Sequence, residues 1–76
     1  MKELVTHIAR ALVDNPDKVE VKEINGDKSI IIELRVADDD RGKIIGKEGR
    51  IIKSIRTIVS SAAAKLDKRI SVELIE

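Results

Sequence analysis

Gly46-Lys47-Glu48-Gly49 is the segment whose residue types and spacing could do chemistry. Glycine at both ends permits a tight turn with positive φ at little steric cost, and leaves no Cβ to hold a ligand's backbone away. A helix opening just after the loop would aim its first, unpartnered N–H groups at whatever sits over the turn. Those groups and the helix dipole favour an anion, phosphate above all. Lys47 and Arg50 add full charges within reach, and Lys43 and Lys53 lie one turn away on either side. Ile44 and Ile45 precede the loop and offer an apolar floor beside it. Two glycines at this spacing are, on their own, only a corner between helices; the basic segment around them makes a binding site of it.

That segment is visible in the charge distribution. The net charge is only +1, but residues 1–40 hold six Lys/Arg against ten Asp/Glu, net −4. Residues 41–56 hold six Lys/Arg (Arg41, Lys43, Lys47, Arg50, Lys53, Arg56) against Glu48 alone, net +5, and residues 57–76 balance. Such asymmetry suggests an anionic partner, while on charge alone a solvated helix face rich in Lys and Arg explains it as well.

Other chemistries lack their residues. There is no Cys and one His, so disulfide scaffolds and transition-metal sites have no donors. His7, between Thr6 and Ile8, reads as a surface residue. Asp38, Asp39 and Asp40 lack the alternation and terminal Glu of a calcium loop. A Walker A loop opening at Gly42 would need glycine where Lys47 stands. Ser60 and Ser61 have no base near them, and no acid–base or nucleophile pair suggests an enzyme. Phe, Trp and Tyr are absent, which removes ring-stacking platforms for single strands. No apolar run exceeds three residues, so no membrane span is expected and the default location is cytoplasmic.

The elements that must position the loop follow from periodicity. Leu4, Val5, Ile8, Ala11 and Leu12 predict an amphipathic helix over about residues 2–13, ended by Asn15-Pro16. Val19 and Val21 alternate with Glu20 and Lys22 as a strand. Asn25-Gly26 predicts a type I′ turn, and Ile30, Ile32, Leu34 and Val36 form the second arm of the hairpin. The Asp38–Asp40 run predicts an N-cap for a short helix that Gly46 stops. A longer helix begins near Gly49 or Arg50 and runs to about Leu66, with the stripe Ile52, Ile55, Val59, Ala62 or Ala63, and Leu66. Ile70, Val72 and Leu74 alternate in a closing strand. The expectation is one α+β domain over residues 1–76, order αββααβ. Three helices cover one face of a three-stranded mixed sheet, and Glu20, Lys22, Glu33, Arg35 and Glu73 lie on the other.

With these elements in place, the run Arg41–Arg56, RGKIIGKEGRIIKSIR, closely resembles the I-G-x-x-G core of the KH domain. The element order resembles the bacterial, type II arrangement of that domain. The likeness covers nearly the whole chain and is strongest to small single-domain bacterial KH proteins of the KhpA type. It implies binding of single-stranded RNA, with the loop clamping about four nucleotides by their backbone. The implied site is Arg41, Lys43, Ile44, Ile45, Gly46, Lys47, Glu48, Gly49, Arg50, Ile52 and Lys53. One or two of Ile44, Ile45, Ile51 and Ile52, with part of a neighbouring strand, would form the groove for bases. Glu48 departs from the pattern, because it sets a carboxylate beside the phosphates.

The resemblance implies a post-transcriptional regulator or RNA chaperone, with no cofactor and no small-molecule substrate. The alternative is a protein-interaction adaptor of the same fold, which would have no reason to keep the basic segment. One domain spanning a few nucleotides binds weakly, so a second domain is expected to add avidity. Ile51, Ile58 and Ala64 lie off the main stripe of the long helix, so a homodimer or pairing with another KH-domain protein is expected.

Overall fold

The computed structural model describes residues 1–76. The elements are α1 (Lys2–Leu12), β1 (Glu20–Asn25), β2 (Ser29–Arg35), α2 (Arg41–Ile45), α3 (Arg50–Ala64) and β3 (Arg69–Leu74). Short 3₁₀ turns at Pro16–Lys18, Asp38–Asp40 and Lys47–Gly49 join them. The sheet order is β1-β2-β3; β1 and β2 are antiparallel, β2 and β3 parallel. Parallel strands need a long crossover, and α2 with α3 supplies it. The order αββααβ and the three-stranded mixed sheet are those expected from the sequence.

The core forms between the helices and one face of the sheet. Ile30, Ile32 and Leu34 on β2 and Val72 on β3 meet Val5 of α1, Ile44 of α2 and Ile52, Ile55 and Val59 of α3. The opposite face carries Glu20, Lys22, Glu33, Arg35 and Glu73, as the alternation requires, together with the cross-strand pair Ile24–Ile31.

Four local readings are corrected. The hairpin does not turn on Asn25-Gly26. The register pairs Asn25 with Ile30 and Val21 with Leu34, so Asp27-Lys28 is the apex, and the Gly26 N–H donates to the Ser29 carbonyl at 2.7 Å. A turn on Asn25-Gly26 would have slid Pro16 and Asp17 opposite Arg35 and Leu34, and proline cannot donate to a ladder. In α1 the buried residues are Val5 and Ala9, while Leu4, Ala11 and Leu12 are exposed; the helix is rotated from the stripe first drawn. Leu66 is 59% exposed because α3 stops at Ala64 and the chain turns through Asp67 at φ 57°. Ala63, not Ala62, takes the fully buried place. Finally, no Asp side chain caps α2; Asp40 is buried and used elsewhere.

Candidate nucleic-acid interface

Positive φ occurs at only four residues, Gly46, Glu48, Gly49 and Asp67, and three of them lie in one loop. The two glycines are needed for different reasons. At Gly46 (φ 75°, ψ 175°) a Cβ would sit 2.6 Å from Cγ1 of Ile51, so the first turn of α3 packs directly over the glycine. At Gly49 (φ 73°, ψ 17°) the nearest atoms to a Cβ would be Lys53 Cε at 3.8 Å and Ile52 Cγ2 at 3.9 Å. Gly49 is therefore required for its backbone conformation and for the open surface it leaves, not for internal space. Glu48 is held at φ 58°, ψ 25°, an uncommon state for a residue with a side chain.

The six cations of residues 41–56 divide into two sets. Lys47, Arg50 and Lys53 are exposed around the loop, and the Lys53 stem lies beside Gly49. Arg50 faces the Glu48 carboxylate at 3.9 Å, a pair so exposed that it holds neither group firmly. The other three are engaged. Arg41 is half-buried and donates from Nη1 to the Ile75 carbonyl at 2.8 Å. Lys43 Nζ pairs with Asp14 at 2.7 Å and with Asp40 at 3.7 Å, away from the loop. Arg56 donates from Nε and Nη2 to the Val72 carbonyl at 3.2 and 3.1 Å. Of the isoleucines, Ile44 is wholly in the core and Ile52 nearly so, Ile51 is half-buried over Gly46, and Ile45 is 37% exposed. The apolar surface next to the loop is thus chiefly Ile45.

The family model that describes the KH domain of KhpA/KhpB matches residues 2–74. The chain belongs to this family. RNA-binding protein KhpA of Caldanaerobacter subterraneus subsp. tengcongensis is 64% identical over 75 residues, covering 99% of this chain and 100% of that protein. RNA-binding protein KhpA of Clostridium acetobutylicum is 56% identical over the same shares of each chain. These relatives are named for binding, not for a reaction, in line with the expectation of no enzyme. Among solved structures, an Aquifex aeolicus Era variant bound to GDP.AlF4- superposes with a TM-score of 0.64 at 26% identity, over 96% of this chain and 28% of that one. Era in complex with MgGDPNP and nucleotides 1506–1542 of 16S ribosomal RNA superposes with a TM-score of 0.59 at 25% identity, over the same shares.

Two features of this KH domain were not foreseen. Asp40 is fully buried and accepts from the Asp14 N–H at 3.1 Å, the Asn15 N–H at 3.0 Å and Asn15 Nδ2 at 3.0 Å. The Asn15 side chain foremost, then the two backbone N–H groups and Lys43, hold its carboxyl below the ordinary range against the effect of burial. Asp14 in turn raises the Lys43 ammonium above its ordinary value. The network ties the link after α1 to the start of α2, and so fixes the helix that leads into the loop. The second feature is a shallow groove of about 370 Å³ between α3 and β3, lined by Arg56, Val59, Ser60, Ile70, Ser71, Val72 and Glu73. Lys53, Arg56 and Ser60 recur at three- and four-residue spacing, which places them on one face of α3, beside this groove. That spacing was the available signal; it does not show which strand the face meets.

Proposed function

We propose that the protein binds single-stranded RNA, holding the backbone of about four nucleotides at Gly46–Gly49 and resting bases in the groove between α3 and β3. The observation that carries this reading is the loop itself. Three left-handed residues expose its backbone, and Lys47, Arg50 and Lys53 stand open around it at the start of a fifteen-residue helix. A phosphate there meets the favourable end of the helix dipole and exposed cations together, although the Gly49 N–H already donates to the Gly46 carbonyl at 3.1 Å. The names of the relatives and the RNA-bound Era structure support the same reading. Arg56 lies six residues past Arg50, about 9 Å along the helix, so a strand leaving the loop along α3 reaches the groove next.

The wider role that fits is an RNA-level regulator or chaperone in the cytoplasm, because a short, weak clamp suits transient contact with many RNAs. Ile58, at 50% exposure, and Leu66, at 59%, favour a pairing of two such domains that would lengthen the bound strand.

Replacing Lys47 and Glu48 together by Asp tests the loop. Its charge changes from 0 to −2 while both glycines stay, and Asp tolerates the left-handed state at position 48. The variant is expected to melt like the parent and to lose RNA affinity in an anisotropy titration. Equal melting with equal affinity would reduce the loop to a corner between helices.

A further inference from the structure

The groove has an edge of backbone for one wall, and one side chain has altered what that edge offers. β3 is the outer strand. The Arg69 N–H donates to the Lys28 carbonyl at 2.9 Å and the Ile75 N–H to the Leu34 carbonyl at 2.8 Å, so the odd-numbered residues face β2. In a parallel ladder the alternate residues must then turn both backbone groups outward. Ile70, Val72 and Leu74 therefore point their N–H and C=O to the open side, where the groove lies.

An outward residue normally presents a donor and an acceptor side by side. Val72 does not, because its carbonyl already accepts twice from the Arg56 guanidinium, at 3.2 and 3.1 Å. What remains at the middle of the groove is the Val72 N–H and the guanidinium N–H groups that Val72 does not use. At Val72 the wall therefore offers donors only, while Ser60, Ser71 and Glu73 line other parts of the groove.

We propose that Arg56 is a specificity-determining residue, which sets the groove against adenine and in favour of bases with two adjacent acceptors. The inference rests on the reading of the groove as the base site. Guanine offers O6 beside N7, and cytosine offers O2 beside N3. Adenine places its N6 amino group next to the acceptor on both of its pairing edges. Against the donors at Val72 that amino group loses its partner and is opposed by other donors. Without Arg56 the Val72 N–H and C=O would match adenine N1 and N6 directly. Arg56 thus converts a wall suited to adenine into one that rejects it.

Arg56 could instead only clamp the edge strand or contact a phosphate. Either role acts equally on every base, so the base order separates them from selection. The measurement is fluorescence anisotropy at fixed salt with hexauridylates carrying A, C or G at each position in turn, for the parent, Arg56→Met and Arg56→Lys. Methionine keeps an unbranched stem without charge or donor; lysine keeps the charge and one donor for the Val72 carbonyl. In the parent, adenine at one position should bind about fivefold more weakly than guanine or cytosine, the loss expected of one unmade hydrogen bond. Arg56→Met should abolish or invert that ratio, on top of a general loss of affinity. Arg56→Lys should keep adenine disfavoured. A uniform loss with the parent's base order in Arg56→Met would overturn the proposal, as would a parent that prefers adenine. Should Arg56→Met fail to fold, a relaxed base order in Arg56→Lys would overturn it as well. A folded parent that binds none of these RNAs would sink the RNA reading itself, and this inference with it.

Discussion

Gly46→Ala and Gly49→Ala look alike in sequence and should behave very differently. At position 46 an alanine meets two costs. Its backbone state, φ 75° with ψ 175°, is close to glycine-only and costs about 1–3 kcal/mol for another residue. Its Cβ would also stand 2.6 Å from Ile51 Cγ1 and 2.9 Å from Ile51 Cβ and Cδ1, and relieving that overpacking costs about 1–3 kcal/mol more. The sum, about 2–6 kcal/mol, rivals the ~3–5 kcal/mol that the core of so small a domain supplies. At position 49 only the left-handed backbone is charged against the variant, about 1–2 kcal/mol, since nothing lies within 3.8 Å of the new Cβ. For a chain of this size that is a fall in Tm of about 4–16 °C. Urea unfolding of both variants reads the difference. Gly49→Ala should fold and bind RNA more weakly, because its Cβ stands where the ligand backbone approaches. Gly46→Ala should be largely unfolded, and adding Ile51→Ala should recover part of the loss, a favourable coupling of neighbours. Equal costs for the two glycines, or no recovery with Ile51→Ala, would refute the assignment of separate roles.

RNA affinity should fall with salt at a log–log slope of about −2, the value for three phosphates neutralised by Lys47, Arg50 and Lys53, and duplex RNA should bind far worse; a flat titration would remove the basic loop from the account. Glu48→Lys should tighten binding to all sequences alike, since it adds a phosphate contact and no base contact, as a comparison of two unrelated oligonucleotides would read. Asp40, and Glu23 on β1, which accepts from the Asn25 side chain at 2.8 Å, both titrate below their ordinary values in the fold, so their stabilisation is complete above the unfolded range, about pH 4, and is lost as pH falls through the folded values. Lys43 titrates above its ordinary value, so its share is complete below about pH 10 and is lost as pH rises past that. Thermal melts should be level between these limits, and Asp40→Asn should blunt the acid limb; an unchanged acid limb would remove Asp40 from it. Sedimentation at high concentration should show species above 8.4 kDa that Ile58→Lys disperses, and a strict monomer would sink the pairing.

The elements were legible where one periodicity dominated. β2 turns Ile30, Ile32 and Leu34 to the core in alternation, with Ile31 its one apolar residue on the open face, and its neighbours could be placed around it. Local turn chemistry misled where long-range pairing opposed it. Asn25-Gly26 is a strong hairpin signal, but the apex moved two residues on because Pro16 cannot join a ladder. The stripe of α1 misled for a similar reason. Six apolar residues spread over nearly half its circumference, and only the packing against the sheet decides that Val5 and Ala9 go in. A single sequence shows that α1 is amphipathic and leaves its rotation open by about one residue.

The candidate site was legible as a place and not as a set of roles. The glycines, the loop and the density of positive charge were all visible, because each is local. What each charge does depends on partners far along the chain. Asp14 and Asp40 take Lys43, Ile75 takes Arg41, and Val72 takes Arg56. A count of six cations therefore overstates the field at the loop, where three remain free against Glu48. The three that are engaged shape the site instead. Lys43 with Asp40 anchors the start of α2, Arg41 secures the strand end behind it, and Arg56 bridges α3 to the edge of β3. In a domain with no aromatic residue, stacking cannot supply base affinity. Discrimination must come from hydrogen-bonding groups held in place by the fold, and in this groove those are the Val72 N–H and the guanidinium that Arg56 sets against the Val72 carbonyl.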